Sequence, residues 1–181
     1  ISKYLKKKKI KFIKIREPGG FKNSEKIRSL ILNNKSNFNK NTDFLLYLAS
    51  RSENIQHLKK FHNKKIILID RFIDSTIAYQ HYGMGVDLSI IKKLNNLLLE
   101  NFKVDFTFLN IVSLKNMKER LKKRKRLNRY DKFQNNFYEK VQKGFLKLSK
   151  IKRKKYMIID SNLKIMTNEK IIIDKIKKLI K

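Results

Sequence analysis

The fold can be worked out from residues 66–80, which read Ile-Ile-Leu-Ile-Asp-Arg-Phe-Ile-Asp-Ser-Thr-Ile-Ala-Tyr-Gln. The first four residues are aliphatic and three of them are β-branched, which is typical of a central parallel strand buried on both faces. Asp70 and Arg71 follow where that strand ends. Because an α/β sheet binds its ligands at the carboxyl ends of its strands, this pair is the first candidate for a functional site.

Strand and helix patterns alternate on both sides of this stretch. Strands are predicted at residues 10–15, 66–69, 106–111 and 156–159, and helices near residue 1, at 24–32, 43–61, from about 75, and at 88–101, 114–124, 133–150 and 169–181. Ser24 is expected to cap its helix, Leu45 is expected on the buried side of the helix at 43–61, and Leu97 lies on the apolar side of the helix at 88–101. The alternation predicts a single α/β domain with a mostly parallel sheet.

Composition gives one strong signal and several exclusions. The chain has 46 Lys and Arg against 15 Asp and Glu, so its net charge is +31. Such a charge is typical of proteins that bind nucleic acid. However, 37 of the basic residues are lysines, and Lys, Asn and Ile together make up 79 of 181 residues. Their codons are rich in A and T, so compositional drift explains most of the lysines.

Other classes of protein are excluded directly. The chain has no cysteine, which excludes disulfide scaffolds, thiolate zinc sites and cysteine nucleophiles. No apolar run is long enough to span a bilayer, and the first residues do not form a secretory signal. The three histidines have no metal-ligand spacing. We therefore expect a cytoplasmic protein without a membrane partner.

Two segments outside the central stretch suggest a binding site. Arg16-Glu-Pro-Gly-Gly20 follows a predicted strand, and its glycines permit close backbone approach to a ligand. It is either a ligand-binding loop or an ordinary strand-to-helix turn. Tyr47 and Arg51 share a helix face, where a ring and a guanidinium can bind a base and a phosphate. The alternative is a core tyrosine beside a surface arginine.

Within the central stretch, Asp70 can hold water around Mg²⁺ and Arg71 can bind a phosphate, or the two form a structural ion pair. Thr76 and Gln80 share a helix face, and a glutamine amide can pair with the edge of a pyrimidine. Residues 120–129 hold four of the nine arginines. This basic run either closes over a triphosphate, forms a solvated face, or binds nucleic-acid phosphates.

Together these segments resemble bacterial thymidylate kinase (dTMP kinase), a nucleoside-monophosphate kinase. Residues 16–20 resemble its REPGG loop, residues 45–51 its base-binding helix, and residues 70–80 its DRY-x-x-S-x-x-AYQ signature. The resemblance runs the whole chain and implies a three-layer P-loop NTPase-like fold with a mostly parallel sheet. It also implies transfer of a phosphoryl group from ATP to dTMP, with Mg²⁺, to give dTDP for dTTP synthesis.

The resemblance also implies roles for individual residues. The implied substrate-binding residues are Glu17, Pro18, Tyr47, Arg51, Arg71, Ser75, Thr76, Tyr79 and Gln80. In that family the aromatic stacks on thymine, the two arginines hold the dTMP phosphate, and the tyrosine of AYQ favours a deoxyribose. The implied catalytic residues are Arg120, Arg124 and Arg129 of a basic lid at about residues 120–131, and Asp70, which would bind Mg²⁺ through water. A homodimer through helices 43–61 and 88–101 is the implied assembly.

The sequence departs from the family pattern in several places. It has no G-x-x-x-x-G-K-S/T, and the resemblance begins after that P-loop, so we expect roughly 25 residues, including the first strand, to precede Ile1. Three explanations are then open. The chain is a fragment of a complete gene product, it is a degraded product of a drifting genome, or a start further upstream restores the P-loop. Asn110, Asn128 and Phe133 replace acidic residues, and Met84 replaces an arginine. The alternatives to a kinase are a catalytically impaired nucleotide-binding remnant and a basic nucleic-acid-binding module.

Overall fold

The computed structural model describes residues 1–180. The helices are α1 (Ser2–Lys7), α2 (Lys22–Leu32), α3 (Lys40–Lys59), α4 (Ile73–Thr76), α5 (Leu88–Leu99), α6 (Leu114–Lys122), α7 (Asn135–Ile151) and α8 (Ile165–Leu179). The strands are β1 (Phe12–Arg16), β2 (Ile66–Asp70), β3 (Thr107–Ile111) and β4 (Tyr156–Asp160). A π-helix (Ile77–Gly83) continues α4, and 3₁₀ turns lie at Arg129–Lys132 and Arg153–Lys155. The predicted alternation of strands and helices is confirmed.

The start of α2 differs from the prediction. The helix begins at Lys22 with Phe21 as its N-cap, and Ser24 lies buried inside its first turn. The Ser24 hydroxyl is 3.0 Å from the carbonyl oxygen of Gly19 and 2.5 Å from the Ser50 hydroxyl. The prediction of a Ser24 cap is therefore wrong, because this hydroxyl bonds the preceding loop to α3 instead of capping its own helix.

The four strands are parallel in pairs, as predicted, but they form two sheets rather than one among residues 1–180. In one sheet Phe12 of β1 faces Ile66 of β2, and in the other Thr107 of β3 faces Tyr156 of β4. The prediction that β2 is buried on both faces is wrong, because its side chains are only partly buried. Within the described part of the chain no strand pairs with the second edge of β2.

A large cavity lies between the two sheets. It has a volume of about 1480 Å³ and is lined by residues 66–71 around β2 and by residues 102–112 around β3. The unpaired edge of a strand presents free N–H and C=O groups, so this cavity has polar backbone along its walls. The same cavity is lined further along by Tyr47 and Arg124, and so joins the candidate site described below.

The apolar core consists of two clusters, one at each end of α3. The first cluster contains Phe44, Leu48, Ile77, Val86, Ile91 and Leu148, and the second contains Ile15, Ile55, Leu58, Leu99 and Phe102. Leu45 of α3 was predicted to be buried but is 56% exposed, and Leu97, on the apolar side of α5, is 70% exposed. A helical apolar pattern identifies an apolar face, and it does not tell whether the same chain covers that face.

Two glycines fix the π-helix against α7. A Cβ atom at Gly144 would lie 2.5 Å from the Tyr82 ring, and one at Gly83 would lie 2.6 Å from the Phe137 ring. Only hydrogen fits at these contacts, so the two helices approach very closely. The π-helix carries Tyr79 and Gln80 and is thereby held firmly in place. Among residues 1–180, no helix combines the length and apolar character needed to cross a bilayer.

Candidate active site

The candidate site lies at the carboxyl ends of β1 and β2. Arg16 and Asp70 are opposite each other at the end of this parallel pair, and the Glu17 N–H donates to the Asp70 carbonyl at 2.9 Å. The loop at residues 16–20 therefore runs beside the start of the central motif. Arg71, which follows the strand, has a left-handed backbone with φ of +65° and an exposed side chain.

A buried network around Arg51 forms the floor of the site. The guanidinium is 1% exposed and donates to Glu17 Oε2 from Nε at 2.9 Å and from Nη2 at 2.7 Å. It also donates to Asn95 Oδ1 at 2.5 Å and to Thr76 Oγ1 at 2.9 Å. The guanidinium thus makes four hydrogen bonds to other side chains of the protein. A buried guanidinium is stabilised by the buried carboxylate that neutralises it, and the predicted contact of Arg51 with a substrate phosphate stays a prediction.

Glu17 is the acidic partner in this network and is 4% exposed. Burial raises the pKa of its carboxyl, while the charge of Arg51 and the hydrogen bonds from Arg51 and Asn54 act in the opposite direction. Asn54 also donates to the Gly19 carbonyl at 2.8 Å, and the Gly19 N–H donates to Ser50 Oγ at 3.1 Å. The REPGG loop is therefore attached to α3 by several polar side chains.

Three residues of this floor were missed by the sequence analysis. They are Ser50, Asn54 and Asn95. Ser50 and Asn54 could have been found, since they share a face of α3 with Tyr47 and Arg51 at spacings of three and four residues. Asn95 could not, because it lies on α5 and meets Arg51 only through the tertiary fold.

Most of the predicted substrate-binding residues line one small cavity. Its lining comprises Glu17, Tyr47, Arg51, Arg71, Phe72, Ser75, Thr76, Tyr79 and Gln80. Eight of the nine residues implied by the resemblance are in that set, and Pro18 lines the adjoining larger cavity. The structure thus brings these residues together, and their individual contacts with a ligand stay predictions.

Gln80 is the most unusual residue of the small cavity. Its side chain is 1% exposed, yet neither its Oε1 nor its Nε2 has a hydrogen-bond partner among the described residues. A buried polar group without a partner costs about 1–3 kcal/mol. A native protein tolerates that cost where a ligand or a water supplies the missing bonds.

Aromatic rings form the walls of the cavity. Burial raises the pKa of Tyr47 to about 12, so its hydroxyl is neutral at physiological pH. The Arg71 guanidinium lies over the Tyr79 ring, 5.0 Å from its centre. Tyr130 packs edge-on against both Tyr47 and Tyr79, with ring centres 6.1 Å apart in each case.

Arginines gather at the mouth of the cavity. Arg28 of α2 donates to the Pro18 carbonyl at 2.6 Å, and the sequence analysis did not single it out. Burial lowers the pKa of Arg28, and the neighbouring cations Arg16 and Arg71 lower it further, whereas Glu25 raises it. Several cations so close together indicate a site for an anion.

The three arginines predicted to be catalytic in the basic segment, defined as residues 120–131, each have a partner within the protein, and their predicted contacts with phosphates stay predictions. Arg120 donates to the Ser161 carbonyl at 2.5 Å, and Arg129 binds the buried carboxylate of Asp43. Each guanidinium has five N–H donors and keeps some of them unused, and the Nε of Arg129 is buried without a hydrogen-bond partner among the described residues. Arg124 pairs with Asp131 at 2.7 Å but is half exposed and lines the large cavity. It is the arginine of this segment best placed for an anionic ligand.

Two departures from the family pattern have a visible role. Asn128 caps the 3₁₀ turn at Arg129–Lys132 in a reciprocal capping box with Asp131, so an amide replaces the acid without loss of the cap. Phe133 packs against the rings of Tyr130 and Phe137. Asn110 lines the large cavity at the end of β3.

Asp70 is the single acidic side chain among the predicted catalytic residues. It is exposed at the end of β2, and the described residues contain no group of three or more acidic or histidine side chains that could hold a metal directly. A lone carboxylate suits Mg²⁺, which usually keeps several waters and takes only one or two carboxylates.

Comparisons with known proteins agree with each other. A family model described as thymidylate kinase matches residues 1–172. The thymidylate kinase of Thermosipho africanus is 41% identical over 162 residues, covering 88% of this chain and 80% of that protein. The thymidylate kinase of a Sulfurihydrogenibium species is 37% identical over 177 residues, covering 96% and 86%. The crystal structure of thymidylate kinase from Ehrlichia chaffeensis matches with a TM-score of 0.69 at 29% identity, covering 94% of this chain and 81% of that one.

Proposed function

Because the chain belongs to the thymidylate kinase family, we propose that the small cavity beside Gln80 is its dTMP site. The protein is a nucleoside-monophosphate kinase with the P-loop NTPase fold, and it phosphorylates dTMP in dTTP synthesis. The family and the fold confirm the sequence prediction. Nothing among the described residues or the comparisons favours the nucleic-acid-binding module or the impaired remnant.

The observation that carries the proposed site is the unpartnered amide of Gln80. A glutamine amide offers one acceptor and two donors, and the thymine edge offers an N–H beside carbonyl oxygens. The two groups are complementary, so a bound thymine would satisfy both atoms that are unsatisfied in the described protein. Tyr47 and Tyr79 supply aromatic surface around the base, and the Tyr79 ring would lie beside the sugar.

The phosphate of dTMP is assigned to the mouth of the cavity. Arg71 is exposed there, and Arg28 and Arg16 add positive charge nearby. A guanidinium can donate two parallel hydrogen bonds to a phosphate. Arg51 keeps a different role in this proposal, since it holds Glu17 and Thr76 in place beneath the base.

The reaction moves one phosphoryl group and requires little covalent chemistry from the protein. A phosphate oxygen of dTMP forms a bond to the γ-phosphorus of ATP, the proposed donor, while the bond from that phosphorus to ADP breaks. Arg71 would orient the acceptor, and Arg124 would offset the charge on the transferred group as part of a lid at residues 120–131. Mg²⁺ would supply further neutralisation of the phosphates, with Asp70 holding its water shell.

Replacing Gln80 by leucine tests the dTMP site. We expect the dissociation constant for dTMP to rise by about 30- to 100-fold, because a buried hydrogen-bonding pair worth about 2–3 kcal/mol is lost. The free protein should unfold at the same or a higher temperature, because an unsatisfied buried amide has been removed. Isothermal titration with dTMP and thermal unfolding measure the two effects.

A control for this experiment is Gln56→Leu, which changes an exposed glutamine on α3 that lines neither cavity. That variant should bind dTMP like the unmodified protein. If Gln80→Leu binds dTMP normally, the base lies elsewhere and the proposed site is wrong. If it binds weakly but is also less stable, Gln80 has a structural role rather than a role in reading the base.

A homodimer is the proposed assembly. Ile90 and Leu97 lie seven residues apart on one face of α5 and are both exposed, and Leu45 is exposed on the neighbouring α3. Exposed aliphatic side chains on one helix face are typical of surfaces that bind another protein. A second copy is the natural occupant, because these are the two helices through which the family resemblance implies a dimer.

Replacing Leu97 by glutamate is expected to separate the dimer, since two buried carboxylates would lie close to the symmetry axis. Light scattering after gel filtration should give twice the 21.8 kDa chain mass for the unmodified protein and the single mass for the variant. Ile165→Glu, at an exposed site on α8, is the matched control and should remain dimeric. A monomeric unmodified protein would contradict the proposal.

A further inference from the structure

Asp43, in the first turn of α3, is a buried acid that does not line the proposed dTMP cavity. It is 1% exposed, and its two carboxylate oxygens bind two consecutive residues of the basic segment. The Arg129 guanidinium donates to one oxygen and the Tyr130 hydroxyl donates to the other. A carboxylate is buried at tolerable cost only when it is paired and hydrogen-bonded. The buried Asp43 carboxylate is therefore stable only while the basic segment lies in this position.

The junction continues from Asp43 to Arg124 through a short turn. The two partners of Asp43 begin the 3₁₀ turn, which Asn128 caps. The Asp131 carboxylate of the same turn accepts a hydrogen bond from the Asn128 N–H at 3.0 Å and from Arg124 at 2.7 Å. The position of Arg124 thus depends on a turn that is attached to α3 by Asp43.

The same junction reaches the nucleoside pocket. Tyr130, which donates to Asp43, packs edge-on against Tyr47 and Tyr79. The Tyr138 hydroxyl donates to the Tyr130 carbonyl at 2.5 Å and adds a contact from α7. A second attachment of the basic segment is the bond from Asn34 to the carbonyl of residue 127 at 2.9 Å. Asp43 provides the only charged attachment of the segment to α3 among the described residues.

We propose that Asp43 is a positioning residue that holds the basic segment closed over the active site and so places Arg124 for phosphoryl transfer. The effect on catalysis rests on the proposed function, while the attachment itself is a property of the fold. The two parts can therefore be tested separately, the attachment by proteolysis and the catalytic consequence by kinetics.

Replacing Asp43 by asparagine tests the attachment without any substrate. The segment contains six Lys and Arg residues between 120 and 126, and trypsin cleaves a surface segment faster when its attachments to the rest of the fold are lost. We expect cleavage there to be about tenfold faster in the variant, because the opened segment is more populated. Mass spectrometry of the fragments identifies the sites. Asp174→Asn, on an exposed ion pair of α8, should leave the pattern unchanged.

Kinetics of the same variant test the consequence for catalysis. We expect kcat to fall about ten- to a hundredfold, because Arg124 is displaced from the reacting phosphates. The dissociation constant for dTMP should rise less than kcat falls, by at most about threefold to tenfold, because Gln80 and Arg71 are positioned by other elements and only the Tyr130 contacts with Tyr47 and Tyr79 are loosened. A residue with only a structural role would instead lower stability and dTMP binding together.

Two further variants test the same attachment, and the first of them keeps the proposal falsifiable if Asp43→Asn does not fold. Tyr130→Phe removes one of the two bonds and should give a smaller acceleration of cleavage. Asp43→Asn combined with Arg129→Gln should be cleaved more slowly than Asp43→Asn alone, because the stranded buried cation is removed. Unchanged cleavage in Asp43→Asn and in Tyr130→Phe overturns the proposal. An unmodified protein that fails to bind dTMP overturns the proposed site and leaves the cleavage result valid.

Discussion

Replacing Arg71 by alanine is expected to lower kcat/KM for dTMP by about a thousandfold, equivalent to about 4 kcal/mol. Arg71 is exposed at the mouth of the cavity and lies over the Tyr79 ring. No protein carboxylate is bound to it among the described ion pairs, and the same holds for Arg28, which instead donates to the Pro18 carbonyl. Removal of Arg71 leaves the dianionic phosphate of dTMP without its principal counter-charge.

A comparison of ligands separates this role from damage to the pocket. Thymidine carries the base and sugar but no phosphate, so it should bind Arg71→Ala and the unmodified protein with similar affinity. Arg71→Lys keeps the charge but loses the paired hydrogen bonds, and we expect about a thirtyfold loss. Arg153→Ala, an exposed arginine after α7, is the matched control. A loss smaller than about tenfold in Arg71→Ala would contradict the assignment.

The residues of the site could be predicted where one segment carries them. Asp70, Arg71, Thr76 and Gln80 lie within one strand, one turn and one helix, so their spacing alone brings them to one end of the sheet. Partners from distant segments could not be predicted in this way. Asn95 is 44 residues from Arg51, and no local pattern indicates that they meet.

The same limit applies to the basic segment. Counting arginines at residues 120–129 identified a cationic segment, but it did not reveal which guanidinium has a protein partner. Arg129 is held by Asp43, 86 residues away in the chain. An apolar helix stripe is ambiguous in a similar way, since Leu45 and Leu97 match the pattern of a core position and are exposed. In both cases the missing information lies in tertiary contacts.

Arg51 is expected to be the residue whose replacement destabilises the fold most. Its ion pair with Glu17 is 1% and 4% exposed, and the two groups are 2.7 Å apart. Replacing Arg51 by methionine keeps much of the side-chain volume but leaves Glu17 buried without its counter-charge. We expect the free energy of unfolding to fall by about 3–5 kcal/mol at neutral pH, measured by urea denaturation.

The size of this loss should depend on pH in a defined direction. Burial already raises the pKa of Glu17, and removing Arg51 takes away the charge and hydrogen bonds that lower it. The folded pKa of Glu17 in the variant therefore lies further above its unfolded value of 4.5. Below pH 4.5 the Glu17 carboxyl is protonated in both the folded and the unfolded state. The fold then loses stability as the pH rises through the pKa that this carboxyl has in the folded state. Arg51→Met should thus be more destabilised at pH 8 than at pH 5.

Two controls show whether the buried pair causes the effect. Adding Glu17→Gln to Arg51→Met should recover much of the lost stability and abolish its pH dependence, because no buried charge remains. Lys59→Met breaks an ion pair with Glu100 that is largely exposed, and such pairs contribute little, so its unfolding curve should be nearly unchanged. If the double variant is no more stable than Arg51→Met, the cost comes from lost packing and bonds to Asn95 and Thr76, because the stranded carboxylate is gone.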